Sequence, residues 1–409
     1  MAKMRLTTRI LIGLVLGIIA GLILGGSPEI ATKFIAPFGK LFLNLIKMII
    51  VPLVFSSLIV GAASIGDVKK LGRVGGKTVA FYLVTTAVAV TIGLVLGNLF
   101  QPGSGLVILE GVTVEARNAP PLVETLLAII PTNPLQGLVN GNMLQIITFA
   151  LFLGITITTI GEKGKAVFNF FDSLAEIMYK ITAFIMYLAP FGVFALITPV
   201  VAQNGPAVLF PLAKVIAAVY IGALLHSVIV YSSIVKVFAK MNPLKFFKGV
   251  LPAAAVAFST CSSAGTLPVT IKSCRDNLGV SKSVSSFVLP LGATINMDGT
   301  ALYQGVCALF VAQIYGLDLS IAQQVSIILT ATLASIGTAG VPGAGFIMLT
   351  MVLTSVGLPL EGSALIAGID RILDMARTTV NVVGDSAVAV AIAATENDLT
   401  DLDESEASA

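Results

Sequence analysis

Apolar residues run along this chain in long blocks rather than alternating with polar ones, and they keep to no single helical stripe. Ile10 to Gly26, Val79 to Phe100 and Ile216 to Val235 approach or exceed the roughly 20 apolar residues a helix needs to cross a bilayer core. The pattern predicts six full spans before residue 240, at about 10–26, 41–64, 79–100, 123–160 with breaks at Pro131 and Pro134, 166–199 and 207–238. The second half changes character, because runs of Ser, Thr, Gly and Pro interrupt its apolar stretches.

Two of these interruptions resemble each other. One reads Ser259-Thr-Cys-Ser-Ser-Ala-Gly-Thr-Leu-Pro268, the other Ser335-Ile-Gly-Thr-Ala-Gly-Val-Pro-Gly-Ala-Gly345, and a polar-studded span follows each. Irregular backbone is tolerated at membrane depth only where protein or a water-filled cavity satisfies its polar groups. Paired interrupted segments in two halves point to a transporter's binding site. The expectation is an all-α polytopic membrane protein with eight transmembrane helices plus two re-entrant helical hairpins, at 243–276 and 321–357, as inverted repeats entering from opposite faces.

Composition agrees: of 409 residues, 56% are hydrophobic and only 11% charged, where a soluble domain carries roughly 25% charged residues. A net charge of +3 decides little, but the placement of basic residues decides more. Lys69, Lys70, Arg73 and Lys77 share one connection, Lys163 and Lys165 another, Lys236 to Lys248 a third, and Lys272, Arg275 and Lys282 a fourth. These connections should be cytoplasmic, with both termini. The basic N-terminus and first apolar run also fit a signal peptide, but the run's length and the spans after it favour an uncleaved helix. Cys261, Cys274 and Cys307 have neither disulfide nor metal-ligand spacing.

The candidate chemistry concentrates in Gly368 to Asp385. At about 100° per residue, Asp370, Asp374, Arg377, Asn381 and Asp385 fall within a sector of roughly 80°, with Arg371 and Thr378 just beside it. At roughly +3 kcal/mol per charge, the five charged residues would cost about 15 kcal/mol facing lipid, which their apolar neighbours cannot offset. This face must be buried against protein, ions or ligand. Mutual neutralisation of the two Asp and two Arg would explain it in a soluble helix; within a membrane such clusters mark a site. An arginine fork suits a carboxylate, Asp374 suits an amino group, and Asn296, Asp298, Asn381 and Asp385 offer the oxygens a hard cation needs.

Several features take plainer readings. His226 reads as a packed core residue rather than a proton relay, and Lys180 and Lys214 as side chains snorkelling to an interface. Gly75-Gly76-Lys77-Thr78 mimics the end of a phosphate loop, but Leu71 stands where the opening glycine belongs, so no nucleotide or nucleic acid partner is expected. An intramembrane enzyme would need Ser262 or Ser263 as nucleophile with a base that the sequence does not supply, and an ion channel would need no substrate. The acidic residues from 395 to 409 read as a disordered tail.

The hairpin tip at 259–268, Asn296-Met-Asp-Gly-Thr300, the second tip at 335–345 and the Asp374–Asp385 face resemble the glutamate transporter family, the dicarboxylate/amino acid:cation symporters, over nearly the whole chain. The resemblance implies a homotrimer in the inner (plasma) membrane that works as an elevator. Spans at about 10–64 and 123–199 would form a scaffold, and segments at about 79–100, 207–238 and 243–394 a transport domain. It implies an acidic amino acid as substrate, aspartate or glutamate, held by Ser262, Ser263, Thr300, Val341, Gly345, Asp374, Arg377, Thr378 and Asn381. It implies sodium as the co-transported ion, at sites drawn from Tyr82, Thr85, Thr86, Asn296, Asp298, Ser335, Ile336, Thr338, Asn381 and Asp385. Asp385 favours sodium; the Asp370-Arg-Ile-Leu-Asp374 arrangement resembles proton-coupled members and keeps a proton-coupled amino acid or C4-dicarboxylate symporter as the alternative.

Overall fold

The computed structural model describes residues 6–66, 73–106, 127, 130–338, 340 and 343–400, and these are almost wholly helical. Helices α1 (Leu6–Ile23), α2 (Ala36–Gly66) and α3 (Arg73–Phe100) match the first three predicted spans. The next two are shorter or broken. The fourth yields α4 (Met143–Thr159) after a short helix at Pro134–Asn140, and the fifth divides at Leu188 into α5 (Lys165–Tyr187) and α6 (Ala189–Asn204). Pro190, whose missing N–H is harmless in a first turn, sits where the second piece begins.

Helix α7 (Leu209–His226) runs through a wide i→i+5 turn at Ser227–Tyr231 into a last helical segment, Ser232–Phe238. Among the described residues, five helical stretches are long and apolar enough to cross a membrane: Thr8–Gly26, Pro28–Ala63, Arg73–Phe100, Gly205–Phe238 and Leu360–Thr395.

The remaining helices are α8 (Pro243–Thr260), α9 (Ser263–Asp276), α10 (Lys282–Ile295), α11 (Asp298–Ile314), α12 (Ile321–Ala334), α13 (Ala344–Ser355) and α14 (Ser363–Thr395). Local chemistry sets their ends. Asn242 caps α8 ahead of Pro243, Ser281 caps α10, and Ser320 forms a capping box with Gln323 at α12, each accepting from backbone N–H groups the helix leaves free.

Both predicted tips are breaks between packed helices. Cys261 ends α8 in the left-handed region with φ 53°, and Ser262 caps α9 by accepting from the Gly265 N–H at 3.0 Å. At the second tip, α12 tightens at Ser335–Gly337, Thr338 is extended, and Gly343 with φ 85° opens α13.

Helices α1, α2, α4, α5 and α6 pack chiefly on one another, while α3 and α7 to α14 form a second group around the largely buried α14. Helix α3 runs so close to α11 that a side chain at Gly93 would collide with the Leu302 carbonyl. Exposed Phe152, Phe170, Phe184 and Phe191 belong to the first group. Lys180 and Lys214 lay their ammonium groups 5.7 Å and 5.0 Å from the rings of Phe184 and Phe210.

At one end of the molecule residues 396–400, the start of the segment read as a disordered tail, make specific contacts. Glu396 accepts from Arg73 Nε at 3.2 Å and from Lys77 at 2.7 Å. Ser281 and Ser283 donate to Asp398 at 2.8 Å and 2.9 Å, and the Thr400 N–H donates to the Gly279 carbonyl. Two of the basic connections therefore meet the acidic C-terminal segment at the same end. Residues 401–409, Lys69 and Lys70 lie outside the described residues.

Candidate functional site

The charged face of α14 is buried as its cost demands: Arg377 is 1% exposed, Asp385 2%, Asp374 6% and Asp370 7%. Arg377 is held from three sides. Its Nη1 donates to Asp370 at 2.6 Å, its Nη2 pairs with Asp374 at 2.9 Å, and its guanidinium carbon lies 4.2 Å from the centroid of the Tyr303 ring. Tyr303 in turn donates to Asp370 at 3.2 Å. The remaining donor, Arg377 Nε, is buried without a protein partner, an arrangement that costs about 1–3 kcal/mol unless an acceptor arrives. Gly345 of the second tip abuts it, since a methyl group there would sit 2.9 Å from the guanidinium carbon.

The two tips meet at this face. Ser262 donates to the Gly340 carbonyl at 2.8 Å, as does the Ala264 N–H at 3.2 Å. Asp374 accepts from the Gly343 N–H at 3.3 Å and from Thr378 at 3.4 Å. Ser263 is buried in the first turn of α9. Val341 lies outside the described residues.

Behind the arginine, the break between α10 and α11 inserts against the middle of α14. Asn381 accepts from the Gly299 N–H at 2.8 Å and donates to Thr300 at 3.5 Å. Asn296 donates to Asp385 at 2.9 Å and to the Asn381 carbonyl at 3.1 Å, leaving its own side-chain oxygen buried and unpartnered.

A second carboxylate, Asp298, is fully buried and accepts from Thr85 at 3.1 Å, Thr86 at 2.7 Å and Tyr231 at 2.8 Å, with His226 Nε2 at 3.2 Å. Tyr82 donates instead to the Val288 carbonyl at 3.1 Å. Ser335, Ile336 and Thr338 are buried at the second tip, and both hydroxyls bond back to their own helix.

Expectation and structure therefore agree on a gathering around α14 but differ in detail. Thr85, Thr86 and Asp298 come together, as do Asn296 and Asp385. His226 does more than pack in a core, since its imidazole touches Asp298. Tyr231, Tyr303 and Asp370 carry contacts that the sequence reading left unassigned. Tyr303 was legible one helical turn after Thr300, on a face that the two share. Tyr231 was not, because residues five apart share a face only through an i→i+5 turn; here the two rings meet edge-on with centroids 4.9 Å apart.

Paired helix breaks closing over a buried ionisable face, in a helical membrane protein, define a secondary transporter. Residues 6–395 match the model of the sodium:dicarboxylate symporter family, and the chain belongs to that family. It is 44% identical to the proton/sodium-glutamate symport protein of Geobacillus stearothermophilus, covering 95% of this chain and 94% of that protein. It is 39% identical to the proton/glutamate-aspartate symporter of Escherichia coli (strain K12), covering 97% and 94%. It is 36% identical to an excitatory amino acid transporter of Caenorhabditis elegans, covering 91% and 84%.

Proposed function

We propose that the protein imports an acidic amino acid, L-glutamate or L-aspartate, across the inner (plasma) membrane together with sodium. The observation that carries this reading is Arg377, a buried guanidinium whose Nε lacks a partner. In this reading the ligand's side-chain carboxylate takes Arg377 and its ammonium takes Asp374. Ser263 and Asn381 hold its α-carboxylate, with Thr300, Thr378 and the tip residues Ser262, Val341 and Gly345 closing over the ligand. The names of the relatives support the substrate class.

Sodium would enter with the amino acid as cargo. Asp385 with Asn296 and Asn381 would make one site, in which the unpartnered Asn296 oxygen gains a cation. Asp298 with Thr85, Thr86 and Tyr82 would make another, and Ser335, Ile336 and Thr338 a third. A tenfold gradient with 100 mV supplies about 3.7 kcal/mol per monovalent ion, so two or three ions would drive steep accumulation. Proton coupling is the second reading, favoured by relatives whose names include the proton, with sodium in one and without it in another.

In the same proposal α1, α2 and α4 to α6 form the scaffold of a homotrimer, and α3 with α7 to α14 slides against it as an elevator. Helices α8 with α9 and α12 with α13 are the two re-entrant hairpins of an eight-span protein whose termini are cytoplasmic. Arg377→Ala tests the ligand assignment. Truncating one partner of a buried charge pair costs about 2–5 kcal/mol, so L-aspartate affinity measured by calorimetry in sodium should fall at least about thirtyfold. Unchanged affinity would remove Arg377 from the site.

A further inference from the structure

One cation at the meeting of the two tips has no task in the reading above. Arg371, one turn before Asp374 on α14, keeps its side chain 17% exposed and stands between two partners. Its Nη2 donates to the carbonyl of Thr260, the last residue of α8, at 3.3 Å. Its Nη1 lies 3.8 Å from Asp374 Oδ2, the oxygen that also accepts from the Gly343 N–H of the second tip. The chain of contacts thus runs from the first tip through Arg371 and Asp374 to the second, while Ser262 and Gly340 join the tips directly.

The charges balance without ligand. Asp370 and Asp374 are met by Arg371 and Arg377, all on one face of α14. Without Arg371, Asp370 and Asp374 would share Arg377 alone when the tips close over nothing, and the one uncompensated buried charge would disfavour closure. Arg371 sits where it can take the part of the ligand's ammonium. When an amino acid enters, its ammonium repels the guanidinium, which retains the Thr260 carbonyl as its other partner.

We infer that Arg371 is a positioning residue that substitutes for the ligand's ammonium on Asp374, so that both tips close over an empty site and the unloaded carrier can return. This rests on the acidic amino acid reading and deepens it: the residue acts on the empty half of the cycle and does not touch substrate. An alternating-access carrier needs empty return for net uptake, whereas exchange of external for internal substrate uses the loaded form in both directions.

The test compares those two modes in proteoliposomes with radiolabelled L-aspartate. With Arg371→Ala, net uptake into substrate-free vesicles should fall at least tenfold, while exchange into vesicles loaded with unlabelled L-aspartate changes less than threefold. Arg371→Lys, which keeps a point charge beside Asp374, should recover at least a third of the net rate. Equal loss of both modes in both variants would make Arg371 a structural strut and overturn the inference, as would equal retention of both. A raised KM for exchange with an unchanged maximal rate would instead make it a ligand contact, which also overturns it. Absence of exchange in the unaltered protein would fail the acidic amino acid reading itself, and the inference with it.

Discussion

At the residue scale, the charged face of α14 is held together by contacts that run beyond one helical turn. Asp370, Asp374, Arg377 and Asp385 stood out because five charged residues on one helix face cannot face lipid, and all four are buried. Periodicity could not say which acid each base meets, since Arg377 reaches seven residues back to Asp370 as well as three back to Asp374. Asp298 shows the same limit: its threonine partners on α3 are over 200 positions away in the chain. Tyr231 provides a test at this scale. Hydrogen bonds to charged groups contribute about 1.5–3 kcal/mol, so Tyr231→Phe should loosen Asp298 and weaken sodium activation of substrate binding about tenfold. A sodium titration that superimposes on that of the unaltered protein would detach Asp298 from the cation sites.

At the element scale, the breaks in helices bring the two tips together beside the charged face of α14. Cys261 and Ser262 make one tip from a left-handed residue followed by an N-cap, and Gly343 makes the other with a positive φ. Both were legible as Ser-, Gly- and Pro-rich interruptions, because such residues compete with or terminate helix. The turn at 227–231 was not legible, because Ser-Val-Ile-Val-Tyr carries no helix breaker, and the bond from its Tyr231 hydroxyl to Asp298 reaches a residue far along the chain. Gly345→Ala would place a methyl group against a guanidinium that two aspartates hold in place. Substrate affinity should therefore fall tenfold or more while thermal stability stays near that of the unaltered protein, which calorimetry and a melting curve would distinguish. The C-terminal segment allows a pH prediction. Hydrogen bonds from Arg73 and Lys77 hold the Glu396 carboxyl down at about 2, below its ordinary 4.5. A depressed carboxylate contributes its stabilisation above its ordinary pKa and loses it as pH falls through the lowered one. Hydrogen exchange at Ser281 and Thr400, whose amides the same segment engages, should stay slow at pH 5, once corrected for intrinsic rates. It should accelerate only as pH nears 2, and acceleration already at pH 5 would contradict the clasp.

At the scale of the whole molecule, hydropathy alone fixed the class: a chain with 11% charged residues and repeated apolar blocks has the bilayer as its main solvent. It ran one span too long, since the stretch at 166–199 breaks at Leu188, while the one at 123–160 was expected to be broken and is divided. The grouping of helices into two packed sets cannot be read from any local pattern, because α3 leaves its sequence neighbours to pack on α11 and α14. That exchange places Thr85 and Thr86 against Asp298, and so makes the first apolar third of the chain part of the site.

The most direct test of the account is uptake of radiolabelled L-glutamate and L-aspartate into proteoliposomes under an imposed inward sodium gradient, beside a sodium-free vesicle set with an inward proton gradient. The account predicts saturable accumulation of at least one of them above its external concentration under the sodium gradient, abolished by Arg377→Ala. Accumulation under the proton gradient alone would replace sodium with protons as the driving ion. Uptake under neither gradient, from protein shown to be folded, would contradict the assignment of this site to acidic amino acids.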